Sequence, residues 1–556
     1  MRNHYALLRQ ASLAVCWLIL GGFILSACGK TSTPTHLIPT QVKWLASFQW
    51  QALQTKQPEV WKKGLMKEIL LSLGFQLSTP ERVFVDKFQE AGISPEWPVF
   101  VFSIPGANTT IQVCMFGIDD EAKFVKILEQ SIKSTKKTQE AINFMALSDR
   151  SLMTWAARVG VWLQTAEPSS AEALLKESIR LRALPEDQSL AKTLPQALPN
   201  LSKDNKTDAA LWVDVEGLKN IPTSQWLKKY LPFPLTLDWK GSWVNLQCVF
   251  EKGEIQMKGK FHWGKPLLAY KAFFKNEVDA RLLASLPIKK PIAMAGLGLS
   301  RESIFQALEQ SGLAGKIDPQ VSAATGMTMK ELFNIFSGDV VLGVKKIREV
   351  ETTEGDIDQK TGEQLLEIVV KASYEYVLGV GINNTSSLDK LLAKLIKGDT
   401  GLERQGDFYT LKDKENNNFY IVPRGKFLYL TETEEVKNDL LREKAPRIAD
   451  KYAGLGSESI IVLYSDLQEK VRAKLPSSMF GKKNKEIEQL VKGIQTPFEA
   501  LSIRLKPVAD DNTSELLLAW EMKDKDLHAL QSLLDHIVVE NSFTQILRQP
   551  TAEAAQ

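Results

Sequence analysis

The chain has 556 residues, 44% of them hydrophobic and 24% charged, with a formal net charge of +3. A balance this close to neutral excludes a protein that holds nucleic acid through a basic face, and the hydrophobic share excludes a wholly disordered chain. The length exceeds what one hydrophobic core supports, so two or more domains are expected.

In chain order, Arg2 and Arg9 flank the start of an apolar run from Ala11 to Ile24, which closes on Leu25-Ser26-Ala27-Cys28. A basic start, an apolar core of secretory length and small residues before a cut predict a signal peptide over residues 1–27, because the run is too short for a stable span. The four closing residues resemble the lipobox of bacterial lipoproteins. That resemblance implies that Cys28 becomes the acylated (palmitate-type) first residue of the mature chain. The membrane is then a partner through a lipid anchor, each buried acyl methylene contributing about 0.8 kcal/mol. Gly29, in place of Asp, implies sorting to the outer membrane. The absence of an acidic run in Gly29–Pro34 favours the periplasmic face, with the cell surface as the alternative. Removal of residues 1–27 takes away Arg2 and Arg9 and lowers the formal charge from +3 to +1, which again leaves no nucleic-acid partner.

Residues 28–36 read as a Thr/Pro tether, and folding is expected from Leu37. Val42 to Trp50 predicts a strand, and Glu59 to Leu73 a helix with Trp61, Leu65, Ile69 and Leu73 on one face. Val99–Ile104 and Thr110–Ile118 predict a hairpin about Gly106-Ala107-Asn108, followed by a helix from Glu121 to Lys133 capped by Asp119-Asp120. Strands are expected at Phe144–Leu147 and Gly160–Gln164, then a helix from Ser170 to Arg182. Residues 188–206, rich in Pro, Ser, Asn and Lys, read as a boundary. Beyond it come a strand at Ala209–Val215 and a hairpin of Trp243–Phe250 with Glu254–His262. After a boundary at Pro287–Pro291, a strand is expected at Ile292–Leu299, a helix at Ser303–Gln310 and a strand at Asp339–Lys345. The Glu-rich stretch Arg348–Gln364 reads as an exposed loop.

The sequence repeats itself. Phe116-Gly117-Ile118-Asp119-Asp120 and the helix after it recur as Val380-Gly381-Ile382-Asn383-Asn384 and a helix from Ser386 to Lys397, at a constant offset of 264 residues. With a two-residue slip, Trp162 meets Leu428. The expected fold is therefore α+β, mainly antiparallel sheets with packed helices, internally duplicated. The first copy would span 37–285, with subdomains at about 37–188 and 207–285; the second would span 289–540, with subdomains at about 289–440 and 455–540.

The lipobox, Leu37-Ile38-Pro39 before a first strand, Leu286-Pro287 entering Ile292–Ser300, and Phe336-Ser337-Gly338-Asp339-Val340-Val341-Leu342 together resemble an uncharacterised lipoprotein family, domain of unknown function 4836, common in Bacteroidetes. The resemblance implies location and architecture, and brings no activity or functional residues with it.

Candidate chemistry is sparse. His36, His262, His528 and His536 show no metal-ligand spacing, although the last two, eight residues apart, could share a helix face. Asp119-Asp120-Glu121 contains an acid pair, but its counterpart Asn383-Asn384-Thr385 has no acid, so both read as helix caps. Gly338-Asp339 reads as a turn before a buried strand. Cys114 and Cys248 lie in apolar strand-like runs and read as buried thiols, with a disulfide as the alternative. No catalytic, metal or cofactor residues are assigned. The expected function is a lipid-anchored envelope lipoprotein, a non-enzymatic binding or assembly protein whose partner is an envelope protein or a hydrophobic ligand; the alternative is a periplasmic enzyme acting on a glycan or peptide. Of the twelve tryptophans after Cys28, Trp520 alone lies in the second copy. At least two first-copy tryptophans are therefore expected to form an exposed patch.

Overall fold

The computed structural model describes residues 34–532 apart from 63, 107–108, 133, 195–206, 219–237, 276, 358–363, 399–400, 413–417, 443–447, 449–459, 466–497, 509–510 and 527. The predicted signal peptide, Cys28 and the start of the predicted tether lie outside the described residues, as do Trp226 and His536. The end of the tether is folded: Pro34–Leu37 forms a 3₁₀ turn, Leu37 and Ile38 are buried, and Pro39 bridges to Ser189.

The fold is α+β with antiparallel sheets, in two compact units. The first comprises Met1–Leu267 with Asp524–Gln556, the second Leu268–Lys523. Among the described residues, the strands of the first unit are β1 (Trp44–Phe48), β2 (Val99–Pro105), β3 (Thr110–Gly117), β4 (Lys137–Gln139), β5 (Ile142–Ala146), β6 (Ser151–Ala156), β7 (Val159–Thr165), β8 (Ala209–Asp214), β9 (Trp243–Glu251) and β10 (Glu254–His262). Their pairings give the order 4-5-6-7-3-2-1-8-9-10, antiparallel throughout.

The second unit contributes β11 (Ala293–Gly298), β12 (Phe336–Ile357), β13 (Gln364–Ile382), β14 (Leu402–Gln405), β15 (Phe408–Lys412), β16 (Asn418–Arg424), β17 (Phe427–Thr431), β18 (Ile460–Ser465), β19 (Phe498–Pro507) and β20 (Thr513–Met522). Their order is 14-15-16-17-13-12-11-18-19-20, the same sequence of neighbours shifted by ten.

This topology corrects several expectations. β8 pairs with β1, so residues on the two sides of the 188–206 stretch share one sheet and are not separate subdomains. Val278, Leu282, Leu283 and Leu286 are buried in the core of the second unit, so residues 268–285 belong there and not to the first copy. At the other end, residues 524–532 belong to the first unit, where His528 bridges to Lys252. The Glu-rich stretch is not a loop: β12 runs on to Ile357 and pairs with β13 as far as Gln364. The sheet register also sets Trp162 opposite Cys114 and Leu430 opposite Leu378, so with Cys114 and Leu378 at the 264 offset Trp162 aligns with Leu430, not Leu428.

The helices follow their caps. The predicted Glu59–Leu73 helix is broken by Gly64, which takes φ +89°, into α2 (Pro58–Lys62) and α3 (Leu65–Ser72), after α1 (Trp50–Lys56). The apolar stripe survives the break, with Trp61, Leu65, Ile69 and Leu73 all buried. α4 (Thr79–Asp86) follows Ser78, whose N–H donates to Glu81 Oε2 at 2.6 Å. α5 (Glu121–Ile132) and α6 (Ala171–Arg182) complete the helices used below for the first unit.

One sheet face of the first unit is closed by an aromatic cluster. Phe84 from α4, Phe88 just after it and Phe124 from α5 meet Phe116, Trp155 and Trp162 of the sheet mostly edge to face, with centroids 5.4–6.4 Å apart. In the second unit, α7 (Ala280–Ala284) and α12 (Glu434–Leu441) seal one face through Leu282, Leu283, Val436 and Leu440 against Met294, Val341, Val377 and Tyr429. On the opposite face α10 (Met329–Ile335) and α11 (Thr385–Lys397) cover the β13–β17 side through Ile335, Leu388 and Leu392. α8 (Arg301–Gln310) has no fully buried residue and α9 (Leu313–Thr325) has one, Ala314.

Candidate functional site

The acid pair is a set of structural acceptors. Asp120 Oδ1 accepts from the Lys123 N–H at 3.0 Å, capping α5, and Asn384 Oδ1 accepts from the Ser387 N–H at 3.0 Å at the start of α11. Asp119 pairs with Arg158. Glu121 Oε1 accepts from Trp155 Nε1 at 2.9 Å, Lys136 Nζ at 3.0 Å and Asn143 Nδ2 at 3.1 Å. The Trp155 N–H, then Lys136, holds Glu121 below the usual carboxylate range, and the Lys123 backbone N–H does the same for Asp120. Groups held ionised in this way accept hydrogen bonds; they are poorly placed to deliver protons near neutral pH.

The histidines do not converge. His36 is exposed, His262 stacks on Trp243 with centroids 5.0 Å apart, and His528 accepts at Nδ1 from the Leu530 N–H at 3.2 Å. Among the described residues no three His, Cys, Asp or Glu side chains are grouped to hold a metal ion. Cys114 and Cys248 are buried free thiols, each pushed upward in pKa by burial.

The buried ionisable groups were not singled out by the sequence. Asp208, immediately before β8, accepts at Oδ2 from Lys56 Nζ at 2.7 Å and from the Phe250 N–H at 2.8 Å, while its buried Oδ1 has no partner among the described residues. Lys56 Nζ also donates to the Phe250 carbonyl at 3.3 Å. The Asp208 side chain is 1% exposed, so this pair is a clasp joining the end of α1 to β8 and β9, closed to substrate. An Asp directly before the apolar run Ala209–Val213 was the available signal. Burial raises the Asp208 carboxyl despite the opposing pull of Lys56. A raised folded-state pKa means that the group's stabilising contribution is present below the ordinary carboxylate range and is lost as pH rises through the raised value. The unfolding free energy of the wild type minus that of Asp208→Asn should therefore fall as pH rises from the ordinary carboxylate range through the raised value, and then level off. Chemical denaturation of both proteins across that range checks it; a difference that does not change with pH would rule the burial penalty out.

Glu81 is fully buried and accepts from Ser151 Oγ and, at 3.4 Å, from Gln164 Nε2, tying α4 to β6 and β7. In the second unit Asp339 accepts from Lys275 Nζ at 3.0 Å, Ser337 Oγ at 2.6 Å and the Asp279 N–H at 3.2 Å. Gly338, beside it, has φ +89° and lies in a register shift within β12, so Gly338-Asp339 is a bulge inside the strand and not a turn before it.

The expected tryptophan patch is absent among the described residues. Among the described residues no tryptophan is exposed: Trp44, Trp97 and Trp239 are half-buried and the others buried. Of the first unit's described tryptophans most are buried, Trp155 and Trp162 among them in the cluster that closes one sheet face. Among the described residues, exposed large apolar side chains occur in both units, Val83 in the first and Leu297, Leu342, Ile396 and Leu441 in the second; Leu297 and Leu342, each 37% exposed, lie on neighbouring strands. Cross-strand partners share a face. Leu297 pairs with Val340 and Val340 with Val380; Ala295 pairs with Leu342 and Leu342 with Leu378. These six positions form a two-row apolar face across three interior strands.

No curated protein matches the chain. Among solved structures, crystal form I of TP0453 aligns over 42% of this chain and 80% of its own, at 11% identity and a TM-score of 0.26. Crystal form III aligns over 43% and 82%, at 13% identity and a TM-score of 0.25. The family described as a domain of unknown function, DUF4836, matches residues 81–495, most of both units, and the chain belongs to that family.

Proposed function

We propose that the protein is a lipid-anchored envelope lipoprotein, held at the outer membrane through acylated Cys28, and that it works there as a binding or assembly protein and not as an enzyme. The observation that carries the binding part is the pair of exposed leucines, Leu297 and Leu342, on neighbouring strands of an apolar sheet face, since contiguous exposed apolar surface marks interaction sites. The anchoring part rests on Leu25-Ser26-Ala27-Cys28 behind its basic and apolar run. Asp119, Asp120 and Glu121, the carboxylates considered as acids, support the reading, because each is engaged in an ion pair, a cap or a hydrogen bond from Trp155. The shared strand order and the constant sequence offset support two tandem copies of one ancestral unit.

Cys28→Ser should move the protein from the membrane fraction to the soluble fraction. Fractionation of envelopes after a high-salt wash checks this, and a Ser variant that still sediments with the outer membrane would mean that something other than lipid holds it.

A further inference from the structure

β12 and β13 outrun the sheet they belong to. β11 accompanies β12 only as far as Val344, and β17 accompanies β13 only from Leu378. From Lys346↔Glu375 to Ile357↔Gln364 the two strands pair with each other and, among the described residues, with no other strand. At the strand rise of about 3.4 Å per residue this is a two-stranded ribbon roughly 40 Å long, with a row of N–H and C=O groups along each edge. A two-stranded ribbon by itself is marginal in water, and further strands are what ordinarily make one stable.

The two edges are not alike. Through this stretch β12 carries Glu349, Glu351, Glu354 and Asp356, the kind of charged edge that keeps other strands away. β13 carries Leu365, Leu366, Ile368, Val369, Val370 and Ala372, and between the first and last of these it has no Pro or Gly and one charge of each sign, Glu367 and Lys371. A long apolar strand of this composition is normally kept from an edge, and here one side of it has no partner strand among the described residues. The ribbon's own register matches neither charge: Glu367 stands opposite Glu354, a like charge, and Lys371 opposite Val350.

A second copy of β13 supplies the missing match. Two identical strands that meet antiparallel about a two-fold axis put residues of the same face opposite each other, so one residue must stand opposite its own counterpart. With Val369 on the axis, Glu367 stands opposite the second copy's Lys371 and Lys371 opposite its Glu367, while Ile368 meets Val370 and Leu366 meets Ala372. With Glu367 or Lys371 on the axis a charge faces itself, and with Ile368 or Val370 there neither charge finds its opposite. The combined sheet runs β12, β13, the second copy's β13 and its β12, with the acidic strands outermost, so that pairing closes at two. We infer that the chain forms a two-fold homodimer by antiparallel pairing of residues 364–374 about Val369. This pairing is separate from Leu297 and Leu342 and from the anchor on Cys28.

The full-length protein, exchanged from detergent into an amphipathic polymer, should sediment as a dimer that dissociates on dilution. Glu367→Lys should weaken the dimer by about tenfold or more, because Lys then opposes Lys, and Lys371→Glu should do the same through Glu opposing Glu. The double variant Glu367→Lys, Lys371→Glu should restore the wild-type association. Glu367→Lys also sets a Lys opposite Glu354 in its own ribbon, so a loss of pairing there cannot be put down to an unfolded arm. Val369→Cys should form an intermolecular disulfide on mild oxidation, and Ile368→Cys, whose two copies stand out of register with each other, should not. A double variant as weak as the single ones would overturn the register. A dimer that survives both single variants while Val369→Cys stays uncross-linked would be built on another surface and would overturn the assignment, as would a chain that stays monomeric at every concentration. In cells, Val369→Cys joined to a different envelope protein in place of its own copy would give this edge to a foreign strand and overturn it as well.

Discussion

Trp162→Ala should destabilise the first unit by about 3–5 kcal/mol, the range for removing a large aromatic from a close-packed core. Trp162 is 1% exposed on β7, with Phe75 at 5.3 Å and Phe84 at 6.4 Å between ring centroids. Those rings anchor α4 to the sheet, so the cavity would open where helix and strands meet. Trp162→Phe should cost far less. The indole N–H of Trp162 is buried without a partner among the described residues, and removing an unsatisfied donor returns about 1–3 kcal/mol against the lost volume. Tryptophan emission is the natural probe, because of the tryptophans after Cys28 all but Trp520 precede Leu268. It isolates the first unit even where the two units melt separately. A Trp162→Ala midpoint within about 1 kcal/mol of wild type would mean that the cluster does not hold the unit together.

Gly338→Ala should damage the second unit comparably, through the backbone and not through volume. A Cβ on Gly338 would sit 2.1 Å from the Leu299 carbonyl oxygen, and the residue has φ +89°, which L side chains rarely adopt. The clash has no cheap relief, since the Leu299 N–H donates to the Gly338 carbonyl at 2.8 Å and fixes the two segments together. Strain at such a conformation, together with displacement of β11 from β12, gives an expected loss of about 3 kcal/mol or more. Ser337→Ala is the control. It removes one hydroxyl from Asp339, which keeps Lys275 and the Asp279 N–H, and should cost about 1 kcal/mol. Limited proteolysis, with the protected fragment identified by mass, would follow the second unit directly; equal resistance of Gly338→Ala and wild type would refute the steric argument.

What the sequence made legible was whatever local chemistry decides. The caps at Asp120, Asn384 and Ser170 start their helices as expected, since a short side chain accepting from a first-turn N–H is a local event. The hairpin of β9 and β10 about Lys252-Gly253 was equally plain. β6 was missed because its turn to β7 is Ala157-Arg158, at φ +48° and +65°, with none of the Gly, Asn or Asp that usually announce such a turn. The stretch from Arg348 to Ile357 was misread because pairing with β13, a tertiary event, overrides a charge-rich composition.

The candidate site was less legible still. Exposed leucines in a strand look the same in sequence as buried ones, because what packs across the sheet, and not the strand itself, decides which of them meet solvent. The excess of tryptophan was a true signal read the wrong way round. It marks the unit whose core is built on large aromatic rings, while the second unit fills its two clusters mainly with aliphatic side chains.

The position of β1 also governs when this protein can finish folding. Although β1 is the first strand to be made, it lies in the middle of its sheet between β2 and β8, so its far edge waits for Ala209–Asp214. The first unit then lacks Asp524–Ser532 until the whole second unit has been synthesised. Contacts so distant along the chain close slowly. The later-made unit is the one free to fold first, and the N-terminal unit, though earliest to emerge, is the last to become native.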